Sequence, residues 1–501
     1  MIELDGSSLT VDQLLAIADD YETVALAAAA RERVQASRAV VERRAGGDEP
    51  AYGINTGFGS FAEVKISPDA LETLQLNLLR SHAAGLGDPL PARTVRAIIA
   101  LRANVLAKGF SGISVEALDA LLALVNARVH PLVPSRGSVG ASGDLAPLAH
   151  LALVLIGEGR TLDGIDGAEA LQRAGLTPTR LGPKEGLALI NGTQPSTAVL
   201  ALAVDAADRV ARAADIAAAL SIDALRGSIH PFEARIHDAR PFAGQRISAA
   251  NIENLMRGSG INKSHEHCGK VQDAYSLRCA AQVHGATREA LRFVRETVTI
   301  EANSATDNPM VFADTGDIVS GGNFHGAPIG IAADLLAAAI VPLATISERR
   351  TDRLVDPVLS GLPAFLTRDG GLRSGLMLVQ VTAAAIASEL KTLAHPAGVD
   401  TIPTSANRED HVSMSMTAAL KAERAVTRAR EVVAIEILCA CQAIDLLAPL
   451  ATSPALANVH QLVRSRVPTL DRDRSSSSDI VAIAELIESR ALDDVCDGRV
   501  K

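Results

Sequence analysis

The chain has 501 residues, 48% of them apolar, only 2% aromatic and none Trp. That is ample for a large core, and the Ala- and Leu-rich composition predicts a mostly helical globular protein. The net charge of −10, with no Lys/Arg block interleaved with aromatics, argues against nucleic acid as a partner.

The first residues are acidic and lack the basic and apolar regions of a signal peptide. Residues 8–40 predict two short helices, with Ser8 or Thr10 capping the first. Residues 45–60 carry five Gly and no helical period, so they predict a loop that can approach a ligand closely. Helical patterns follow over 67–86 and 92–129. Residues 130–146 form a Gly-, Ser- and Pro-rich break. A buried helix is expected from Pro147 to about Ile156, then a small αβ excursion over 161–181.

Long apolar helices are predicted at 195–226, 270–295, 326–354, 376–395 and 417–447. The last spans roughly 46 Å at ~1.5 Å per residue, and Pro449 follows its end. The greasiest stretch, 335–346, falls short of the ~18 uninterrupted apolar residues of a membrane span, so no membrane partner is expected. Helices apolar on several faces must be buried in a bundle or shared between subunits, which predicts an obligate oligomer. Residues 475–478 are expected to cap a final helix starting near Asp479. Cys268, Cys279, Cys439, Cys441 and Cys496 include no C-x-x-C pair and are read as reduced, suiting the cytoplasm. His265, Glu266, His267 and Cys268 lack zinc-site spacing, so no metal is expected.

The most informative segment is Gly137-Ser138-Val139-Gly140-Ala141-Ser142-Gly143-Asp144-Leu145-Ala146-Pro147-Leu148. If a strained turn presses the Gly143 nitrogen onto the Ala141 carbonyl, a five-membered ring can close, because Gly has no Cβ to obstruct it. Loss of water from the adduct gives an imidazolone, and loss of the Ser142 hydroxyl gives an exocyclic methylidene. Ala-Ser-Gly alone reads equally as a turn before a helix.

Other segments stand out in order. Tyr52-Gly53-Ile54-Asn55-Thr56-Gly57-Phe58-Gly59 places one of only three Tyr in the Gly-rich loop. His82 follows Ser81 at the end of a helical pattern, and Asn191 lies in Leu189-Ile190-Asn191-Gly192-Thr193, which also suits a helix cap. If residues 271–278 are helical, Gln272, Tyr275 and Arg278 share one side. Arg278 is a natural carboxylate clamp, though a lone Arg is also an ordinary surface ion-pair partner. Phe324 sits in the loop Gly321-Gly322-Asn323-Phe324-His325-Gly326, and Glu409 in Ser405-Ala406-Asn407-Arg408-Glu409-Asp410-His411.

Together these motifs resemble the aromatic amino-acid ammonia-lyase family, over roughly residues 52–447. The resemblance implies a prosthetic group, 4-methylidene-imidazol-5-one, formed autocatalytically from Ala141, Ser142 and Gly143, with no metal and no external cofactor. It implies Tyr52 as the base for the β-proton, and a site that stabilises a phenolate whose ordinary pKa is ~10. Asn191 would touch the prosthetic group or the substrate carboxylate. Tyr275 would be catalytic, Phe324 would pack on the ring, and His82, Gln272 and Arg278 would bind substrate.

Glu409 stands where members acting on phenylalanine and tyrosine typically carry Gln, and a carboxylate can accept an imidazole N–H. The implied reaction is elimination of ammonia from L-histidine to give trans-urocanate. A tyrosine or phenylalanine lyase, or a 2,3-aminomutase, is the alternative. Arg408 replaces a usual Gln, and Ser415-Met416 follows where a Gly is common. The implied fold is mostly α, of the helical superfamily to which fumarase and aspartase belong, although their G-S-S-x-M-P-x-K-x-N loop is absent. An N-terminal domain, 1–190, carries the electrophile, and 191–501 forms a central bundle of long helices with C-terminal helices. The resemblance also implies a homotetramer with sites assembled from several subunits.

Overall fold

The computed structural model describes residues 1–47, 49–269 and 271–501, and it is mostly helical. Asp48, in the predicted loop, and Lys270, first in the predicted helix 270–295, lie outside the described residues.

Four long helices dominate: Gln194–Ala224, Ala280–Ala302, Ala327–Val355 and Ser415–Leu446. The first reads QPSTAVLALAVDAADRVARAADIAAALSIDA and is buried almost all round. Small Ala side chains allow that, because they let neighbouring backbones approach closely and lose no rotamer entropy. Ala327–Val355 is long and apolar enough, by length and composition alone, to cross a membrane, and 56% of its most apolar window is buried inside the protein.

The first helix, Val11–Asp19, is capped by Thr10 rather than Ser8. The Thr10 hydroxyl accepts from Gln13 N at 3.1 Å and the Gln13 side chain accepts from Thr10 N at 3.0 Å. The continuous pattern over 92–129 is two helices, Ala92–Ala107 and Val115–Asn126. Gly109 and Gly112 turn left-handed between them, and Ser114 caps the second. The predicted helix 270–295 is also divided, because Cys279 leaves the helical region between Tyr275–Arg278 and Ala280–Ala302. Gln272 precedes both and is not helical. The expectation that it shares a helix face with Tyr275 and Arg278 is therefore corrected.

The strands are short. Ile2–Leu4 pairs parallel with Val24–Leu26, Leu86–Pro89 antiparallel with Pro134–Arg136, and Met310–Phe312 antiparallel with Asp317–Val319. The second pair delivers the chain into the loop that begins at Gly137.

The chain gathers into two compact units. One comprises Met1–Leu202, Arg295–Asp334 and Ala397–Leu420; the other comprises Ala203–Val294, Leu335–Pro396 and Lys421–Lys501. Each long helix contributes residues to both, so this grouping cuts the chain differently from a division at residue 190. In the first unit, Val40, Val41, Ala51, Ile54, Leu71 and Val311 form a core cluster that pins both ends of the Tyr52 turn. In the second, Arg350 donates to both oxygens of Glu436, fully buried, and Ser221 donates to Glu436 Oε1 at 2.6 Å. Burial of that pair is tolerable because each charge is hydrogen-bonded to the other.

Candidate active site

The loop after Pro134–Arg136 bends at glycines with positive φ: +137° at Gly137, +66° at Gly140 and +71° at Gly143. A Cβ at Gly143 would lie 2.3 Å from the Gly192 carbonyl oxygen and 2.5 Å from its carbon. One at Gly140 would lie within 2.3 Å of both the Ser413 and Ser415 hydroxyls. Only glycine fits either position.

Gly143 and Gly192 form a parallel bridge, in which Asp144 N donates to Gly192 O at 2.8 Å. This pattern uses the residues flanking Gly143 and spares its own amide. Among the described residues, neither the Gly143 nitrogen nor the Ala141 carbonyl oxygen enters a hydrogen bond. The two groups that ring closure requires therefore sit in a compressed turn without a competing partner.

The turn is braced from several sides. Asp144, wholly buried, accepts from the Ser138 hydroxyl at 2.5 Å and from Ser196 N at 2.8 Å. Burial pushes its carboxyl above the ordinary carboxylate value. Gly140 O accepts from the Ser413 hydroxyl at 2.8 Å and from Gly326 N at 3.1 Å, and Met414 N donates to Val139 O at 2.8 Å.

Asn191 ends the helix Glu185–Ile190 and donates through Nδ2 to Ser142 O at 2.9 Å. Its Oδ1 is buried and without a partner among the described residues. Beneath it lies Arg102, fully buried, which donates to Ala188 O, to Asn191 O at 2.9 Å and to Gln194 Oε1 at 2.8 Å. Burial lowers the Arg102 pKa to about 10. Sequence reasoning missed this support, and its only signal was a cation inside an apolar helical run.

Glu409 reaches the turn from a tight hairpin. Thr404 and Glu409 form an antiparallel bridge, and Ser405, Ala406 and Asn407 between them have φ of +50°, +51° and +63°. Three successive non-glycine residues in that region are strained, and such strain is concentrated where a side chain must be aimed. The Glu409 carboxylate accepts from the Ser142 hydroxyl at 2.6 Å and also from the Thr404 hydroxyl.

Tyr52 is partly buried, and its hydroxyl accepts from Gly59 N at 3.3 Å. Gly53, at φ +73°, lets this loop close on Leu187, whose methyl lies 2.5 Å from where a Cβ would stand. His82 ends the helix Leu71–His82, and its Nδ1 is 2.9 Å from Leu78 O. A carbonyl only accepts, so Nδ1 carries the proton and Nε2 is left as an acceptor. Burial lowers the His82 pKa, partly offset by the Leu78 carbonyl and the Glu409 charge.

Tyr52, Ala141, Ser142, Asn191, Phe324 and Glu409 line one cavity of about 290 Å³, within the first unit. Leu187, Asn308, His325, Ser405, Arg408, Asp410 and His411 also line it, and the rings of His325 and His411 stack 5.8 Å apart. Gln272, Tyr275 and Arg278 belong to the second unit and are not among these lining residues. There Gln272 borders a second cavity of about 740 Å³, and the Arg278 guanidinium lies 4.8 Å from the Tyr275 ring centre.

A helical fold that presents a Tyr, a Glu and a compressed Ala-Ser-Gly turn to one pocket defines an amino-acid lyase. The family model for aromatic amino acid lyase matches residues 9–465; the chain belongs to that family and is an ammonia-lyase enzyme. It is 54% identical over 502 residues to the histidine ammonia-lyase of Anaeromyxobacter sp. (strain K), covering 98% of this chain and 99% of that one. The crystal structure of histidine ammonia-lyase from Trypanosoma cruzi matches with a TM-score of 0.93 and 44% identity, covering 100% of this chain and 96% of that one. The tyrosine aminomutase from Streptomyces globisporus matches with a TM-score of 0.95 and 38% identity, covering 100% and 99%.

Proposed function

We propose that the chain eliminates ammonia from L-histidine to give trans-urocanate. The observation that carries the choice of substrate is Glu409, whose carboxylate faces the cavity 2.6 Å from the Ser142 hydroxyl. An imidazole N–H rewards a desolvated carboxylate with a hydrogen bond, whereas a phenyl ring leaves it unpaired. The relatives named histidine ammonia-lyase, at 54% and 44% identity, support the same reading.

The residues at the turn fit a 4-methylidene-imidazol-5-one made from Ala141, Ser142 and Gly143. Gly143 offers an unbonded nitrogen, and Asn191 already holds the Ser142 carbonyl that the ring would retain. When formed, the group supplies an electrophilic methylidene carbon for the substrate amine. Asn191 provides a preorganised donor where negative charge would gather. Tyr52 removes the β-proton. Glu409 and the neutral, Nε2-accepting His82 hold the imidazole from two sides.

Gln272, Tyr275 and Arg278 act from a neighbouring subunit of a homotetramer, with Arg278 clamping the substrate carboxylate in its planar fork. The exposure of this loop, 94% at Val271 and 71% at Tyr275, supports a partner-facing role. The reading includes a cytoplasmic enzyme that needs no metal or external cofactor.

The test is incubation of purified enzyme with histidine, tyrosine and phenylalanine, followed by near-ultraviolet absorbance and chromatography, beside Ser142→Ala. Urocanate formation by the parent and near-inactivity of a folded Ser142→Ala are expected. Faster turnover of tyrosine, or a β-amino acid product, would replace this reading with the tyrosine lyase or aminomutase alternative.

A further inference from the structure

Tyr275 and Arg278 stand on one short helical turn, Tyr275–Arg278, in which Tyr275 is exposed and Leu277 is buried. Its anchors lie behind it, in the second unit. Asp273, just before the turn, accepts from Ser228 N at 2.7 Å, and its carbonyl accepts from Arg278 Nε at 3.0 Å. The last carbonyls of a helix need partners from outside it. Ser276 O has one in the Arg350 guanidinium, which donates from Nη1 at 3.3 Å. That guanidinium is fully buried and donates from Nε and Nη2 to the two oxygens of Glu436. The Ser221 hydroxyl fixes Glu436 in turn. Arg350, Glu436 and Ser221 come from three long helices, Ala327–Val355, Ser415–Leu446 and Gln194–Ala224. A planar fork held by the bundle thus reaches the backbone of the turn. A buried ion pair is weak evidence of stability by itself, because apolar residues of similar volume often serve as well. What such residues could not supply is the bond to Ser276 O.

We infer that Arg350, locked by Glu436, is a positioning residue for the Tyr275–Arg278 turn and, through it, for the Arg278 guanidinium. The inference rests on the reading that Arg278 clamps the substrate carboxylate. Without the bond to Ser276 O the turn loosens, and Arg278, which lies 4.8 Å from the Tyr275 ring centre, moves with it. Its fork then meets a carboxylate off the bidentate geometry. Elimination leaves the carboxylate unchanged, so the clamp acts equally in ground and transition states and its loss raises KM. Displacement of Tyr275 lowers kcat. The imidazole end of the substrate, held by Glu409 and His82, is untouched.

The test compares the full-length enzyme with Arg350→Met/Glu436→Leu, which replaces both partners of the pair by apolar side chains, and with Arg350→Lys, which keeps Glu436 paired but offers a point charge in place of a fork. Two competitive inhibitors are titrated: 3-(imidazol-4-yl)propionate, which has a carboxylate, and 4-methylimidazole, which has none. Hydrogen exchange is followed over residues 274–279. The double variant is expected to bind the propionate about tenfold more weakly, the worth of a displaced charged hydrogen bond, and 4-methylimidazole within about twofold of the parent. Exchange over 274–279 should quicken, and Arg350→Lys should show both effects at a smaller size. In an Arg278→Gln background the double replacement should weaken the propionate by less than about twofold more, because it acts through Arg278. Folded variants that keep parental propionate affinity, lose both inhibitors in parallel or leave exchange over 274–279 unchanged would overturn the inference. Should the double variant fail to fold, Arg350→Lys decides by the same readouts. If Arg278→Gln alone leaves the propionate unaffected, the clamp reading fails, while exchange over 274–279 still decides whether Arg350 anchors the turn. If the parent turns over tyrosine instead of histidine, 3-(4-hydroxyphenyl)propionate and p-cresol take the place of the two imidazoles.

Discussion

Replacing Gly143 by Ala tests whether the compressed turn builds the reactive group. The backbone there has φ +71°, which costs an L-residue about 1–2 kcal/mol. The new Cβ would stand 2.3 Å from Gly192 O and 2.5 Å from its carbonyl carbon, and these are main-chain atoms that cannot rotate away. Relief requires the two segments to part, which sacrifices the Asp144–Gly192 hydrogen bond at about 1 kcal/mol net. The local cost is thus about 2–3 kcal/mol. A displacement of about 1 Å also carries the Gly143 nitrogen off the Ala141 carbonyl, and misplacement of that size costs roughly 100-fold in rate. Gly175→Ala is the control, because Gly175 has φ +70° with nothing within 4 Å of a built Cβ. It pays the backbone cost without the clash. The assay is urocanate formation per mole of folded enzyme, monitored by circular dichroism and near-ultraviolet absorbance. Gly143→Ala should lose at least ~100-fold and Gly175→Ala should stay near the parent rate. A folded Gly143→Ala of parental activity would refute the reasoning.

Glu409→Gln should preserve the fold, because the amide can still pair with the Ser142 and Thr404 hydroxyls. It should lower kcat/KM for histidine about 10- to 100-fold, the worth of a hydrogen bond to a charged group, while tyrosine and phenylalanine gain relative to it. Competing-substrate rates measure this. Tyr52→Phe keeps the edge-on packing against Phe58. It should lose about 10²- to 10⁴-fold in kcat with folding unchanged, as removal of a general base does. Burial holds the Cys441 and Cys496 thiols up to about 12, against an ordinary value of 9.0. Their folded pKa is raised, so their contribution to stability is full below pH 9 and is lost as pH climbs toward 12. Thermal melts should fall between pH 9 and 10.5 more steeply for the parent than for Cys441→Ala/Cys496→Ala, by on the order of 1 kcal/mol per cysteine at pH 10.

The long helices were legible because Ala, Leu and Val repeat through them over more than twenty residues, and prolines such as Pro195 and Pro328 fall in their first turns, where a missing N–H costs nothing. The pattern 195–226 becomes Gln194–Ala224, and 376–395 becomes Met377–Leu393. The break at Gly109–Gly112 was hidden by apolar residues on both sides, which continue a helical period across it. Strands of three residues are too short to show alternation, so the pairing of Ile2–Leu4 with Val24–Leu26 left no trace. The Ala-Ser-Gly turn, Tyr52, Asn191, Phe324 and Glu409 were legible as residues in glycine-rich or polar loops, and the fold brings Tyr52, Ala141, Ser142, Asn191, Phe324 and Glu409 to one cavity. What holds them was not legible. The left-handed backbone at Ser405, Ala406 and Asn407 falls on residues with no glycine signal, and Arg102 is held by the carbonyls of Ala188 and Asn191, some 90 positions away.

The central claim is a chemical change in the chain itself, and trypsin isolates it. Cleavage after Arg136 and Arg160 releases the fragment Gly137–Arg160, which contains Ala141, Ser142 and Gly143 and no internal Lys or Arg. Mass spectrometry of this fragment from active enzyme should show it lighter than its encoded sequence by two waters, with Ser142→Ala lacking the deficit produced by its hydroxyl. A fragment of full encoded mass from enzyme that still releases ammonia would contradict the account.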